Sequence, residues 1–121
     1  MSKGIKMESV KGQACLRIVD VPDGFECSDL AKIIGCDWIE IVHAMRLKKG
    51  LVMIVDEEGK LKGKSVNSVG SYYYGSDLHG DPIVGDCLIM KEEMGDDGPE
   101  LAAMTDDEAV AAMMNFLKEM V

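Results

Sequence analysis

The chain has 121 residues, of which 47% are hydrophobic and 29% are charged. This length and apolar content suit one globular domain with a substantial core, so we interpret residues 1–121 as a single domain. The net charge of −9 disfavours direct binding to nucleic acid, because affinity for a phosphate backbone comes from clustered Lys and Arg.

Cysteine usage and apolar run lengths indicate the compartment. The chain has no Cys-x-x-Cys pair, no apolar signal segment near its start, and no apolar run near the roughly 20 residues of a membrane span. We therefore expect a cytoplasmic protein that does not associate with membranes. Cys15 and Cys87 lie in apolar runs and are expected to be small core residues. Neither a metal site nor a cofactor is predicted.

The first third of the chain predicts a strand, a turn and a short helix. Residues 1–12 are polar, basic and interrupted by glycine, which indicates a loose arm or an edge strand. Alternation over 14–21 favours a first strand, and the Pro-Asp-Gly sequence that follows favours a turn. A helix over 28–34 should dock its Leu-Ile-Ile face on a sheet and end at a left-handed Gly35.

Two strands are expected in the middle of the chain. Residues 37–43 alternate, whereas 51–55 are almost wholly apolar and predict a central strand covered on both faces. The intervening residues 44–50 are long enough for a loop joining an antiparallel pair. Beyond the second strand, Asp56 to Gly59 predict a solvated hairpin tip in which Gly59 adopts a positive φ.

The last half predicts a loop, a strand, a linker and a helix. Residues 64–80 are rich in Ser, Gly and Tyr and keep no regular period, so we interpret them as an ordered functional loop with one helical turn near Asn67. A final strand is expected over 83–90, followed by an acidic linker over 91–104. A Thr-Asp-Asp-Glu capping box then starts an amphipathic helix over 106–120.

These elements together predict an α+β fold, in which an antiparallel sheet of four to five strands carries one short helix and the C-terminal amphipathic helix. Self-association is also expected. The chain has ten methionines, and Met114 lies off the main apolar stripe of the last helix, which would suit a soft helix interface. We therefore predict a homo-oligomer.

Catalytic motifs are missing from the sequence. It contains no nucleophile elbow, phosphate-binding loop or His-Glu-x-x-His helix, and His43 and His79 have no recognisable catalytic partner. Asp77-x-His79-x-Asp81 carries ligand-type side chains, but such alternation is common in Gly-rich surface turns. We therefore predict no catalytic residue and do not expect an enzyme.

A binding surface is the better-supported hypothesis. Basic side chains supply donors, an amide and a hydroxyl add directed hydrogen bonds, and tyrosines supply stacking faces, which together suit a planar anionic ligand such as a nucleotide. The alternative is that the tyrosines cover the core and the basic residues only solvate it. The candidate ligand-binding residues are Arg46, Lys60, Lys62, Asn67, Ser68, Tyr72, Tyr73, Tyr74 and His79.

Four segments carry a family resemblance. They are 38–42 (Trp-Ile-Glu-Ile-Val), 56–63 (Asp-Glu-Glu-Gly-Lys-Leu-Lys-Gly) with Asn67, 82–89 (Pro-Ile-Val-Gly-Asp-Cys-Leu-Ile) and 104–108 (Met-Thr-Asp-Asp-Glu). In this order they resemble an uncharacterised family of small acidic proteins from phages and integrative mobile elements of Gram-positive bacteria.

The resemblance implies a setting rather than an activity. It implies an accessory protein that works by stoichiometric binding in the cytoplasm of a host cell. We therefore predict that the protein binds and sequesters a small nucleotide-like signalling ligand in host–phage conflict. The alternative is an interaction module that blocks a host protein, with the acidic segment 92–108 docked on a basic surface.

Overall fold

The computed structural model describes residues 2–120, which contain six strands and four helices. The strands are β1 (Ser2–Val10), β2 (Gln13–Val21), β3 (Ile39–Val42), β4 (Leu51–Asp56), β5 (Cys87–Gly95) and β6 (Gly98–Ala102). The helices are α1 (Cys27–Ile34), α2 (Ser68–Tyr74), α3 (Ser76–His79) and α4 (Asp106–Glu119). Within these residues no helix is both long enough and apolar enough to cross a membrane.

The strands form one antiparallel sheet in the order β2-β1-β5-β4-β3. β6 pairs with the second half of β5, from Lys91–Ala102 to Gly95–Gly98, and β1 pairs with the first half. β1 and β6 therefore follow each other along one edge of β5, while β4 occupies the other edge. The predicted α+β class is confirmed, with six strands in place of four to five.

The prediction that residues 1–12 form a loose arm or an edge strand is wrong, because these residues contain β1. This strand lies inside the sheet between β2 and β5, and its Ile5 and Met7 side chains are fully buried. Gly4 lets Leu88 approach the backbone, since a Cβ at this position would lie 3.0 Å from Leu88 Cδ1. Only two apolar side chains alternate with polar ones, so the short pattern understates how deeply the strand is buried.

The predicted acidic linker over 91–104 is also corrected, because β5 continues to Gly95 and turns back as β6. Asp96 and Asp97 form the turn between the paired Gly95 and Gly98. Charged residues in this hairpin lie mostly at the surface while Met90 and Leu101 pack inward. Acidity indicated a linker, but backbone pairing tolerates acidic side chains that remain solvated.

Helices cover the two faces of the sheet. On one face α1 packs Leu30 and Ile34 against alternate residues of β4 and β5, while α2 and α4 cover the other face with Tyr73 and Phe116. β4 is central and buried on both sides, as predicted. Its Val52 and Ile54 belong to the α1 face, and its Met53 and Val55 belong to the α2 and α4 face.

The helix ends predicted from local signals are confirmed. Thr105 Oγ1 accepts a hydrogen bond from Glu108 N, and the Glu108 carboxylate accepts one from Thr105 N, which is the expected capping box. Gly35 ends α1 in the left-handed conformation with φ of 73°. The predicted loop over 64–80 instead contains α2 and α3, which are separated at Gly75. Two such short helices are too brief to produce a clear 3.6-residue period.

The expected hairpin tip after β4 is a turn that does not return as a strand. Asp56 is buried rather than solvated, and Gly59 does not have a positive φ. Gly59 is needed for space, since a Cβ there would lie 2.8 Å from Val84 Cγ2. The following residues run across the end of the sheet to an isolated bridge between Val66 and Val84.

Candidate ligand-binding site

Arg46 anchors the loop between β3 and β4 to α2 and α3. Its two terminal nitrogens donate to Asp77 at 2.6 and 2.8 Å, one of them also donates to Tyr72 O at 2.6 Å, and the guanidinium lies 4.5 Å from the Tyr72 ring centroid. The hydrogen bonds raise the pKa of Arg46 and lower that of Asp77. This predicted ligand donor is therefore already neutralised by a bidentate carboxylate.

The three tyrosines point in different directions, as successive residues of a helix must. Tyr73 is fully buried with its ring edge-on to Phe116 at 5.0 Å, and burial raises the pKa of its hydroxyl to about 12. Tyr74 is half-buried against the His79 ring at 4.8 Å, whereas Tyr72 is half-exposed. One flat ligand cannot stack on all three rings.

Asn67 is fully buried and joins three segments of the fold. Its Nδ2 donates to Met7 O and Gly85 O, both at 2.9 Å, and its Oδ1 accepts from Gly70 N at 2.9 Å as the N-cap of α2. The amide thus fills its main hydrogen-bonding positions inside the protein. Ser68, the next residue, lies at the surface beside Tyr72 and lines a shallow cleft.

The lysines after β4 pair with acids from several elements. Lys60 pairs with Asp81, and Lys62 lies 3.5 Å from Asp37 and 3.6 Å from Asp56. Lys64 Nζ lies 2.6 Å from Asp56 Oδ2, although that oxygen has no well-aligned hydrogen bond within the described residues. The contact between Lys64 and Asp56 is therefore a close ion pair.

Asp56 is the centre of this lysine network. Burial raises the pKa of its carboxyl, but the nearby Lys64 ammonium, the hydrogen bond from Glu58 N at 2.9 Å and the Lys62 charge outweigh burial, so the pKa lies below its ordinary value of 3.8. Both Lys62 and Lys64 are thereby held against the end of the sheet. The basic segment that suggested a ligand site therefore forms ion pairs within the protein and stabilises this end of the sheet.

The His79 ring also makes its polar contacts with neighbouring residues of the chain. Its Nδ1 accepts from Asp81 N at 3.2 Å and its Nε2 lies 3.2 Å from Tyr74 O, which fits a neutral ring with the proton on Nε2. His43 Nε2 lies 3.0 Å from Glu92 Oε1. Residues 2–120 contain no cluster of three or more His, Cys, Asp or Glu side chains placed to hold a metal ion.

The nine predicted residues do not line one pocket. Lys60 and Tyr74 face a cleft of about 140 Å³, but that cleft has four carboxylates against the single Lys60 ammonium. Tyr72 and Ser68 lie at shallow clefts on another side of α2. The acids of the first cleft are Glu40, Asp56, Glu57 and Asp81.

A different cleft joins cationic groups to an apolar floor. It has a volume of about 260 Å³ and lies between the loop before β4 and the exposed side of α4. Lys48 and Lys49 form its rim and are exposed, and neither makes an ion pair within 4.0 Å among residues 2–120. We call this the lysine cleft; it is lined by Arg46, Lys48, Lys49, Leu51, Glu108, Ala111, Ala112, Asn115, Phe116 and Glu119.

One of the two acids in the lysine cleft is already engaged. The carboxylate of Glu108 lies 3.0 Å from Lys91 Nζ and accepts from Thr105 N at 2.9 Å, and these hydrogen bonds lower its pKa. Since Arg46 is paired with Asp77 as well, two cations, Lys48 and Lys49, face the one remaining acid of the cleft, Glu119. Sequence reasoning found Arg46 and not Lys49, because only the folded loop brings Lys49 beside α4.

The comparisons with known proteins identify a family but no activity. A family model described as "Domain of unknown function (DUF3846)" matches residues 5–117. No curated protein and no solved structure matches the chain. Because the model covers nearly the whole sequence, the predicted membership of an uncharacterised family is confirmed: the chain belongs to the family described as domain of unknown function DUF3846.

Proposed function

We propose that this protein is a non-enzymatic binding protein for a small, anionic, nucleotide-like ligand, and that the lysine cleft holds the ligand. The observation that supports the proposal is the pair of ammonium groups of Lys48 and Lys49, which make no ion pair among residues 2–120, on a molecule of net charge −9. On such a surface an anion is repelled from most places, so a local cationic rim determines where it binds.

The floor of the cleft suits the rest of such a ligand. Leu51, Ala112 and Phe116 provide an apolar surface next to the lysines, and Asn115 adds an amide that can both donate and accept. A phosphate near the ammoniums would leave an attached ring over the apolar floor, where burial is favourable. The acid-rich cleft near Tyr74 offers the opposite electrostatics.

The lysine cleft contains only one of the nine ligand-binding residues predicted from the sequence, Arg46. Arg46 stays at its border and acts by holding the loop in place through Asp77. The tyrosines, Asn67 and the lysines after β4 support the fold on which the cleft is built. The sequestering role in host–phage conflict, and a phage or mobile-element source, rest on the resemblance described above.

Thermal stabilisation by a panel of cyclic and ADP-ribose-type nucleotides tests the proposal. A ligand that binds only the folded state raises the melting temperature, and the rise grows with the logarithm of its concentration above Kd. We expect at least one compound to raise it, and the rise to disappear in a Lys48→Ala/Lys49→Ala variant. A Lys32→Ala/Lys118→Ala variant has the same net charge and should retain the rise. No rise with any compound at millimolar concentration, or equal loss in both variants, contradicts the proposal.

A second candidate function is supported by the hairpin of β5 and β6. Glu93, which pairs with Lys91 at 2.9 Å, stands directly opposite Glu100, and the neighbouring Met94 is 79% exposed. With Asp96 and Asp97 at the turn, this acidic hairpin would suit a basic patch on a host protein. Its binding would weaken steeply with salt.

Neutralising this hairpin tests the second candidate. In a pull-down from host lysate, an Asp96→Asn/Asp97→Asn/Glu100→Gln variant should lose a salt-sensitive partner. A Glu40→Gln/Glu57→Gln/Glu58→Gln variant carries the same charge change at the other end of the sheet and should keep it. Glu92 and Glu93 are left unchanged because their contacts with His43 and Lys91 would otherwise be lost. Identical captured proteins from all three forms would contradict this function.

A further inference from the structure

The far edge of the sheet combines an open strand with an exposed apolar helix flank. β2 pairs only with β1 and ends the sheet. On the same side, α4 and the residue that caps its C-terminus expose four apolar side chains at helical spacing, each about half exposed: Val110, Met114, Leu117 and the cap residue Met120. We propose that this edge is a homodimer interface, in which β2 and α4 each pack against their counterparts in a second copy of the chain.

The hydrogen-bonding direction of β2 is fixed by its neighbours. Lys3 exchanges both backbone hydrogen bonds with Met104 at 2.8 Å on the opposite side of β1, so it does not bond to its β2 neighbour Asp20. By alternation, the amides and carbonyls of Ala14, Leu16, Ile18 and Asp20 point outward from the open edge.

β2 lacks the devices that usually protect an edge strand. Its pairing with β1 runs without a bulge over nine residue pairs, and it has no Pro or Lys. Its two charged side chains already have partners, since Arg17 bonds to Glu8 at 2.6 Å and Asp20 pairs with Lys3. A second strand approaching this edge therefore meets little uncompensated charge.

α4 lies where a two-fold axis would bring it against its copy. The helix packs over β1 and β2, beginning near Lys3 and Asp20 and ending beside Ala14. The two β2 strands would lie about 4.8 Å apart across the axis. Because each α4 packs over both β1 and β2, its axis is set back from β2 by about half a strand spacing, so the two α4 axes would lie about 10 Å apart. Helices in contact pack at 8–10 Å, so both surfaces close together.

The sequence of β2 selects the register. In an antiparallel pair, directly opposite residues place their side chains on the same face of the sheet. The two-fold axis must therefore pass midway between one residue of β2 and the same residue of the second copy. An axis at Arg17 stacks two guanidiniums, and one at Ile18 sets Leu16 against Asp20. An axis at Leu16 pairs Leu16 with itself, Ile18 with Ala14 and Cys15 with Arg17 of the second copy.

Sedimentation equilibrium on the full chain tests the interface. We expect a dimer at micromolar concentration, and a dimer weaker by about a hundredfold or more in a Met114→Lys/Leu117→Lys variant, because like charges would be buried across the axis. A Leu61→Lys/Met94→Lys variant makes the same charge change at exposed apolar residues elsewhere and should remain a dimer. A monomer at 100 µM, or unchanged dimerisation by both variants, overturns the proposal.

Disulfide trapping tests the register independently. In a Cys27→Ser/Cys36→Ser background, Arg17→Cys places new thiols opposite the native Cys15 of the second copy, at a distance that a disulfide spans. Mild oxidation should give a covalent dimer that reducing agent dissociates. The background without Arg17→Cys should remain uncrosslinked. If the Arg17→Cys protein sediments as a dimer but does not crosslink, this register and the interface derived from it are rejected.

Discussion

Two lysine-bearing segments, one on each side of β4, have similar sequences and opposite roles. Lys60, Lys62 and Lys64 contact acids that come from three separate parts of the chain, whereas Lys48 and Lys49 have no such partner among the described residues. A basic run therefore supplies charge for a ligand only where the fold leaves its lysines unpaired. Pairing depends on acids distant in sequence, such as Asp37 and Asp81.

The same contrast extends to neighbouring polar groups. On the Lys60 side, Asn67 and Asp56 are buried and bonded, so they stabilise the native state. On the Lys48 side, Asn115 and the lysines border a cleft. Substitutions should therefore reduce stability on the first side and ligand binding on the second.

The largest expected effect follows from replacing Asn67. Asn67→Ala leaves Met7 O, Gly85 O and Gly70 N without their side-chain partner, and we expect it to lower the free energy of unfolding by about 3–5 kcal/mol. Urea denaturation monitored by circular dichroism measures the change. Ser68→Ala, one residue later and exposed, should change it by less than about 0.5 kcal/mol. Equal effects of the two substitutions would contradict the assigned role of Asn67.

Asp56→Asn should have the next largest effect. It removes the buried negative charge that faces Lys62 and Lys64, so we expect a loss of about 2–3 kcal/mol in unfolding free energy at pH 7. The same denaturation experiment checks it, with Glu57→Asn as the exposed neighbouring control. A loss below about 0.5 kcal/mol would show that the lysine network contributes little.

The pH dependence sharpens this prediction. The pKa of Asp56 is lower in the folded state, so its contribution is present above the ordinary value of 3.8 and is lost as the pH falls through the folded pKa. The stability difference between wild type and Asp56→Asn should therefore be constant near neutral pH and shrink below about pH 4. A difference that grows on acidification would have the wrong sign.

The smallest expected effect is on the Lys48 side. Lys48→Ala/Lys49→Ala should change the unfolding free energy by less than about 0.5 kcal/mol, because neither ammonium makes an ion pair among the described residues. Lys64→Ala should cost more, since it leaves the buried Asp56 carboxylate with a weaker partner. Matched urea curves compare them, and a reversed order would contradict the comparison between the two segments.

Local signals in the sequence predicted the elements whose ends depend on their own residues. The capping box of α4, the glycine that ends α1 and the apolar run of β4 each require only neighbouring side chains, and each is confirmed. Together they were sufficient for the α+β class. Two regions failed because distant pairing decides them: β1 is buried by β5, and β6 exists because β5 continues beyond its apolar half.

The candidate site depends still more on distant contacts. The sequence placed Arg46 near a ligand, but its carboxylate partner Asp77 lies 31 residues away. Asn67 had a readable local role as a helix cap, whereas its bond to Met7 O spans 60 residues and has no local signal. The lysine cleft forms only when the loop before β4 meets α4.

An NMR titration of the labelled protein with ADP-ribose and cyclic nucleotides shows whether the lysine cleft is the ligand site. If the lysine cleft binds the ligand, backbone amide shifts should be saturable and concentrated in residues 46–51 and 108–119, and Lys48→Ala/Lys49→Ala should abolish them. Saturable shifts centred on residues 60–81 instead, or no shifts at millimolar ligand, would contradict the claim.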